Sequence, residues 1–328
     1  GAVGGVGDDL KELAQRGDWE RCREQAEKRG QEGLEQYVIL HGSALLKAND
    51  LETAVHVFNL YGTPLSASNI SLYKQVAKEL LGKGRAASTQ ESQWLPAVEE
   101  CREVLFKLWA AMKGAAGQDA NEIKEVERLL HVAHYESLHA VCKSKGGVYA
   151  EMQQRLATAL IRYCDVLPAD RVFYEAGQAC KAAGKLNQAF VFTNRFLDIC
   201  DAMEEAEGTS MIENTDFENT DVPFDFNIQD RTFLGEKERD EVRDWVLTLS
   251  VDNKVEPVLS TRACHKCNTQ IFEGSLLCSS CNVRFKPCVV TGMPVGRGRG
   301  ELAAEEVFVN FHSGAFNFKD YVEFTLKP

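Results

Sequence analysis

A mainly α-helical chain is predicted, an array of helical hairpins followed by a small cysteine-rich α+β module. Only three prolines (Pro64, Pro96, Pro168) fall between residues 8 and 206, and the apolar residues there recur with the period of a helix. Of the eleven cysteines, five crowd between Cys264 and Cys288, while Cys22, Cys101, Cys142, Cys164, Cys180 and Cys200 stand singly. Scattered single cysteines in helical sequence suit reduced core thiols, and the cluster suits a local site.

The helices read in order. Cys101, Leu105, Leu108, Trp109 and Met112 form one stripe at i, i+4, i+7, i+8 and i+11, and Met152, Leu156, Ala159, Leu160 and Tyr163 form another. Breaks at Gly82 to Gln90, Gly114 to Asp119, Gly146-Gly147 and Leu167-Pro168 divide the region into helices of about 10 to 20 residues joined by short turns. Two segments resemble tetratricopeptide repeats, in which small residues let paired helices approach and large ones fill the gaps. Gly42, Leu45, Asn49, Ala54, Phe58 and Tyr61 take the repeat positions in the first, and Gly177, Cys180, Gly184, Ala189 and Phe196 in the second. The interval between them is not a clean multiple of the usual period, so the repeats are degenerate.

Asp201 to Asp225 holds nine acidic residues, and no Lys or Arg occurs between Arg195 and Arg231. This predicts a linker or an extended arm, with Phe217, Val222, Phe224 and Phe226 able to dock it onto the helices. Val242, Trp245, Val246 and Leu249 then give one amphipathic helix. The expected division is 1–206 helical repeats, 207–238 acidic linker or arm, and 239–328 amphipathic helix plus Cys-rich module.

Cys264-His265-Lys266-Cys267 and Cys278-Ser279-Ser280-Cys281 are two CxxC knuckles ten residues apart. Each CxxC turn aims both sulfurs at one centre, so Cys264, Cys267, Cys278 and Cys281 can close a tetrahedron round Zn²⁺. Four protein ligands leave no open position for water, which makes such a site structural rather than catalytic. Ile271, Phe272, Leu276 and Leu277 are too few to fold alone, and zinc would supply the missing core. Cys288 is read as a buried thiol. Beyond it, Gly296-Arg297-Gly298-Arg299-Gly300 reads as a hairpin tip, Val307, Val309 and Phe311 as a strand, and Asn317 as the cap of a helix from Phe318 to about Leu326.

Composition narrows the function. Net charge is −12, yet residues 254–328 carry nine Lys or Arg against seven Asp or Glu, so the acidity lies in the helical body. An acidic body repels phosphate backbones, which argues against a nucleic-acid partner. No apolar run reaches the roughly 20 residues of a membrane span, and no leader is present, so the chain is read as soluble and unsecreted. His131, His134 and His139 with Glu127 lack a second matching helix motif and are read as a partly exposed helical face. No hydrolase elbow, HExxH, phosphate loop or dinucleotide fingerprint occurs, so the chain is read as non-enzymatic.

Three stretches, Ala189 to Asp198, Asn214 to Phe224 and Arg239 to Thr248, resemble the C-terminal end of the intraflagellar transport 172 family, peripheral subunits of the transport B complex. The resemblance is specific from about residue 170 to 328. It implies a scaffold in the cilium or flagellum and in the cytoplasm about the basal body, with other transport subunits as partners. It also implies that Cys288 to Val295 is similar to the first loop of a U-box. Val289, Val290 and Pro294 are then the candidate partner-binding residues, and ubiquitin or a ubiquitin-conjugating enzyme is the candidate partner. U-boxes pair that loop with a later Trp, and this chain has none after Trp245. The alternatives are a U-box-type ubiquitin ligase, with no catalytic side chain of its own, and a coat-like or transport-A-type tethering subunit.

Overall fold

A computed structural model describes residues 9–62, 67–83, 91–204, 212–252, 255–295 and 314–326. The hairpin tip at Gly296 to Gly300, the strand at Val307 to Phe311 and most of the break before Gln90 lie outside them. The chain is mainly helical: α1 (Leu10–Arg16), α2 (Trp19–Lys28), α3 (Gln31–Ala48), α4 (Leu51–Tyr61), α5 (Ala67–Lys83), α6 (Glu91–Gly114), α7 (Ala120–Lys145), α8 (Ala150–Leu160), α9 (Ala169–Ala182), α10 (Leu186–Glu204) and α11 (Glu236–Val251). Two antiparallel strand pairs follow, β1 (Thr261–Ala263) with β2 (Gln270–Phe272), and β3 (Lys286–Pro287) with β4 (Pro294–Val295). Asn317 immediately precedes the short helix α12 (Phe318–Tyr321), which passes into a π-helical turn, Val322–Leu326. Contacts divide the chain into two units, one holding the described residues of Gly1–Leu81 and Gln90–His134, the other those of Gly82–Thr89 and Tyr135–Pro328. The division falls inside α5 and α7, well before residue 206.

The expected stripes form the core. Cys101, Leu105, Leu108 and Met112 are fully buried, as are Leu156 and Ala159, whereas Trp109 is half-buried at the edge of its stripe with the Lys113 ammonium 4.3 Å from its ring centre. The two repeat-like segments are helical hairpins, α3 with α4 and α9 with α10. Their turns share one geometry. Asn49 (φ 62°) and Gly184 (φ 74°) take the left-handed conformation, and Leu45 O and Cys180 O accept from Asp50 N and Lys185 N at 2.9 Å. This is a Schellman close, which needs a residue tolerant of positive φ. The same turn recurs between α1 and α2, at Gly17 (φ 73°) with Asp18 N bonded to Leu13 O at 3.0 Å, a hairpin that the sequence reading did not mark. Asp18 and Asp50 then cap the following helices through Arg21 N and Thr53 N, both at 3.3 Å, worth about 1 kcal/mol each.

The small positions do what close helix pairing demands. A Cβ at Gly42 would lie 2.4 Å from the Phe58 ring, and one at Gly177 would lie 2.5 Å from Thr193 Oγ1. Gly177→Val is expected to lower stability by about 1–3 kcal/mol through overpacking, measurable as a fall in the denaturant midpoint at unchanged slope.

In the second unit the acidic segment runs as an arm against the helices. Phe217 is fully buried, edge-on to Phe173 at 5.5 Å and stacked near Phe192 at 6.3 Å, with the Arg195 guanidinium 4.6 Å from its ring centre. Arg195 also donates to Asn214 Oδ1 and Glu213 O at 2.5 and 2.7 Å. Asn227 exchanges backbone bonds with Cys164 and Ala169, and its amide donates to Val166 O at 2.6 Å and Gly82 O at 3.1 Å. Asp170 Oδ2 accepts from Phe233 N at 2.6 Å. An acidic chain stays docked here because Phe217 and Val222 are buried and its backbone groups find fixed partners, whereas Phe224, expected to dock with them, is 50% exposed.

His139 is buried, so the exposed-face reading fails for it. Its Nδ1 lies 3.9 Å from Glu175 Oε2, and burial lowers its pKa. Arg171 bridges Glu136 and Glu175 at 3.1 Å each, and Lys143 meets Glu175 at 2.9 Å, which balances the two buried carboxylates.

Candidate metal centre

The knuckles are built by two nearly identical turns. Cys264 O accepts from Asn268 N, and Cys278 O from Asn282 N, both at 2.9 Å, while Cys264 N donates to Thr269 O and Cys278 N to Val283 O at 2.9 and 3.0 Å. Asn268 (φ 64°) and Asn282 (φ 58°) occupy the left-handed region at equivalent places, one residue after each CxxC. Asparagine tolerates that conformation better than other side-chain-bearing residues. The sequence signal is thus CxxCN, twice.

The turns bring all four sulfurs within 4.8 Å of one another, Cys264 to Cys281 at 3.7 Å and Cys267 to Cys278 at 3.6 Å. A tetrahedron with Zn–S bonds of ~2.3 Å has edges of ~3.8 Å, so the donor set fits zinc in both softness and spacing. The thiols lie in unequal environments. The side chain and backbone of Thr269 hold the Cys267 thiol down to about 6, whereas Cys281, despite a backbone hydrogen bond from Val283, is pushed up to about 12 by burial and the neighbouring thiols. As ligands they would bind as thiolates, and a bound cation would offset their mutual repulsion. Among the described residues this is the one group of His, Cys, Asp or Glu side chains placed to hold a metal.

The remaining core of the knuckles is slight, Ile271 and Phe285 with Leu276 and Val283 against the cysteines. Arg262 covers it, its guanidinium 4.0 Å from the Phe285 ring centre and its Nη2 donating to Ser275 O at 2.9 Å. Asp221 of the acidic arm closes the other side. Its carboxylate accepts from Ser275 Oγ at 2.9 Å and from Leu276 N at 2.8 Å. Asp221→Ala would leave two donors without their acceptor and is expected to cost about 2 kcal/mol, read as a lower melting temperature with zinc content unchanged.

The module is seated on the helices of its own unit. Arg162, 4% exposed in a turn of 3₁₀ helix after α8, donates through its two terminal nitrogens to Gly274 O beside the knuckles and to Gly292 O in the following loop. Tyr135 donates to Cys288 O at 3.0 Å. Gly292 has φ 70°, and a Cβ there would meet Ala159 Cβ at 2.8 Å. The loop therefore needs glycine both for its turn and for its approach to α8. Thr291 donates to buried Asp320 at 2.7 Å, and Asp320 also pairs with Arg155. Asn317 donates its amide side chain to Pro294 O at 3.4 Å and Asp320 Oδ2 at 3.3 Å, so it anchors the loop as well as preceding α12.

This seating fixes where the loop residues expected to bind a partner lie. Val290 is 6% exposed and Pro294 is buried in β4, so both are core, and Val289 alone is half-buried with its N–H bonded to Ala315 O at 2.9 Å. Cys288 is fully buried, as expected, its Sγ accepting from Asn317 N at 3.4 Å. Arg162 escaped the sequence reading, although a single charge inside Ala159-Leu160-Ile161-Arg162-Tyr163-Cys164 is the mark of a buried guanidinium with a fixed task.

No family model matches the chain. Three relatives are similar over most of it: intraflagellar transport protein 172 homologs of Danio rerio, 34% identical over 89% of this chain, and of Homo sapiens, 33% over 88%, and intraflagellar transport protein 172 of Chlamydomonas reinhardtii, 34% over 85%. The matched region is 16% of the length of each relative. The specific resemblance noted from residue 170 onward thus extends over nearly the whole chain, and on identities of 30–34% across ~88% of its length the chain belongs to the intraflagellar transport protein 172 family, as a counterpart of its C-terminal region.

Proposed function

We propose that this chain is a non-enzymatic scaffold segment of an intraflagellar transport subunit, acting in the cilium or flagellum by docking other transport subunits, and that Cys264, Cys267, Cys278 and Cys281 hold one structural Zn²⁺ within it. The relatives' names support the transport role, and the four-sulfur geometry supports the metal. The observation that carries the reading is the seating of the module. Four sulfurs would fill the metal's coordination, and Arg162, Asp221 and Gly292 fix the module to its helices, so the whole serves to hold a surface in place. Co-purification of the chain with separately purified transport subunits tests the scaffold role. Stoichiometric capture of at least one supports it, and capture of none contradicts it.

The ubiquitin reading requires an apolar surface on the Cys288 to Val295 loop, and with Val290 and Pro294 buried only the half-buried Val289 and Met293 remain to offer one. A small contact of that kind is worth ~1–2 kcal/mol at most. Titration of the labelled chain with ubiquitin, and separately with ubiquitin-conjugating enzymes, is expected to give no saturable shift that Val289→Arg abolishes. A shift that it does abolish would restore the U-box reading.

A further inference from the structure

The knuckles carry a second feature that metal binding does not use. Lys266, Arg284 and Lys286 are exposed, and none pairs with a carboxylate among the described residues. The His265 ring packs edge-on to Phe285 at 5.1 Å, which sets Lys266 of the first knuckle beside the segment that carries the other two. That segment is extended, with Arg284 bridged to Leu277 and Lys286 in β3. Phe285 is buried between them, so Arg284 and Lys286 project to the same side, about 6.6 Å apart along the strand. Four thiolates round Zn²⁺ would leave about −2 in the knuckles, so these three cations without a carboxylate partner among the described residues give this face of the module a small net positive charge in a chain of net charge −12.

We propose that this face docks an extended acidic segment of a partner protein. Carboxylates at alternate residues of an extended strand repeat at the spacing of Arg284 and Lys286, and Lys266 supplies a third contact at the flank. Nucleic acid fits less well. Among the described residues the face offers no exposed aromatic ring for base stacking, since Phe285 is buried and His265 is packed on it, and the acidic helical body repels a long phosphate backbone more than a short peptide. The proposal depends on the metal reading only in that the knuckles must be folded.

The test uses the full chain with its zinc content measured. A fluorescent peptide of alternating Glu and Val is titrated into wild type and into the triple variant Lys266→Glu, Arg284→Glu, Lys286→Glu, with a Lys-Val peptide and oligothymidylate as comparators. Binding of the Glu-Val peptide alone is expected, weakened about tenfold or more by the triple variant and by raising salt from low to physiological strength, with zinc retained. Equal binding to both proteins would overturn the proposal, as would tighter binding of oligothymidylate than of peptide. A variant that lost zinc would implicate folding instead, and the single change Lys286→Glu, at a position outside the knuckle turns, then decides: weaker peptide binding with zinc retained supports the proposal, and unchanged binding overturns it.

Discussion

Replacing Cys278 by Ser is expected to abolish the proposed zinc binding and the order of the module from Thr261 to Val295. Cys278 is fully buried and its sulfur is 3.6 Å from that of Cys267, so the hydroxyl neither ligates zinc as a thiolate does nor fills the volume. The apolar core left behind is Ile271, Phe285 and their few neighbours, far short of what a unit of this size needs. Structural zinc supplies on the order of 10 kcal/mol in such sites, so loss of a ligand is expected to cost more than Gly177→Val or Asp221→Ala. Elemental analysis should fall from about one zinc per chain to well under half. Backbone amides bonded across the knuckles, such as those of Asn268, Asn282 and Phe285, should exchange at near-unfolded rates. Cys288→Ser is the matched control, because its sulfur accepts from Asn317 and takes no part in the quartet. It should keep the metal, and zinc loss from it would show that the ligand set is misassigned.

Arg162→Met should give the second-largest effect, a destabilisation of about 3–5 kcal/mol. Two charge-assisted hydrogen bonds to backbone carbonyls are worth ~1.5–3 kcal/mol each, and without them Gly274 O and Gly292 O are left buried and unpaired. Lysine should not rescue the site, since one ammonium cannot reproduce a fork that reaches two carbonyls on different segments. Arg243→Met, at a partly exposed residue paired on the surface with Asp201, should change stability by less than about 1 kcal/mol. Chemical denaturation of the three variants beside wild type checks this, and a loss under 1 kcal/mol for Arg162→Met would mean that the module is not seated through it.

What the sequence makes legible follows from what is local. The periodic stripe at Cys101, Leu105, Leu108 and Met112 and the doubled CxxC are patterns that a helix or a turn completes by itself, so both are readable without tertiary knowledge. Positive-φ residues at Asn49, Gly184, Asn268 and Asn282 belong to the same class, and the last two went unread because Asn beside a CxxC has no meaning until the turn is seen. The burial of Val290 and Pro294, assigned as partner-binding residues, was not legible for the opposite reason. Whether an apolar loop faces solvent or a helix depends on residues over a hundred positions away, here Tyr135 and Arg162, and no local pattern encodes that. The acidic arm is intermediate. Its charge announces an exposed segment, while Phe217 and Val222, at 1% and 5% exposure, decide that one side of it is buried.

The central claim is that metal, arm and helices of the second unit form one cooperative structure rather than a helical array with a detachable cap. Hydrogen exchange of the zinc-loaded chain before and after removal of the metal by a chelator measures this directly. Loss of protection is predicted to spread from the knuckles into α9 and α10, where the Phe192 ring lies 6.5 Å from that of Phe272, and into the arm held by Asp221. Loss confined to residues 261–295, with α9, α10 and the arm as protected as before, would contradict it.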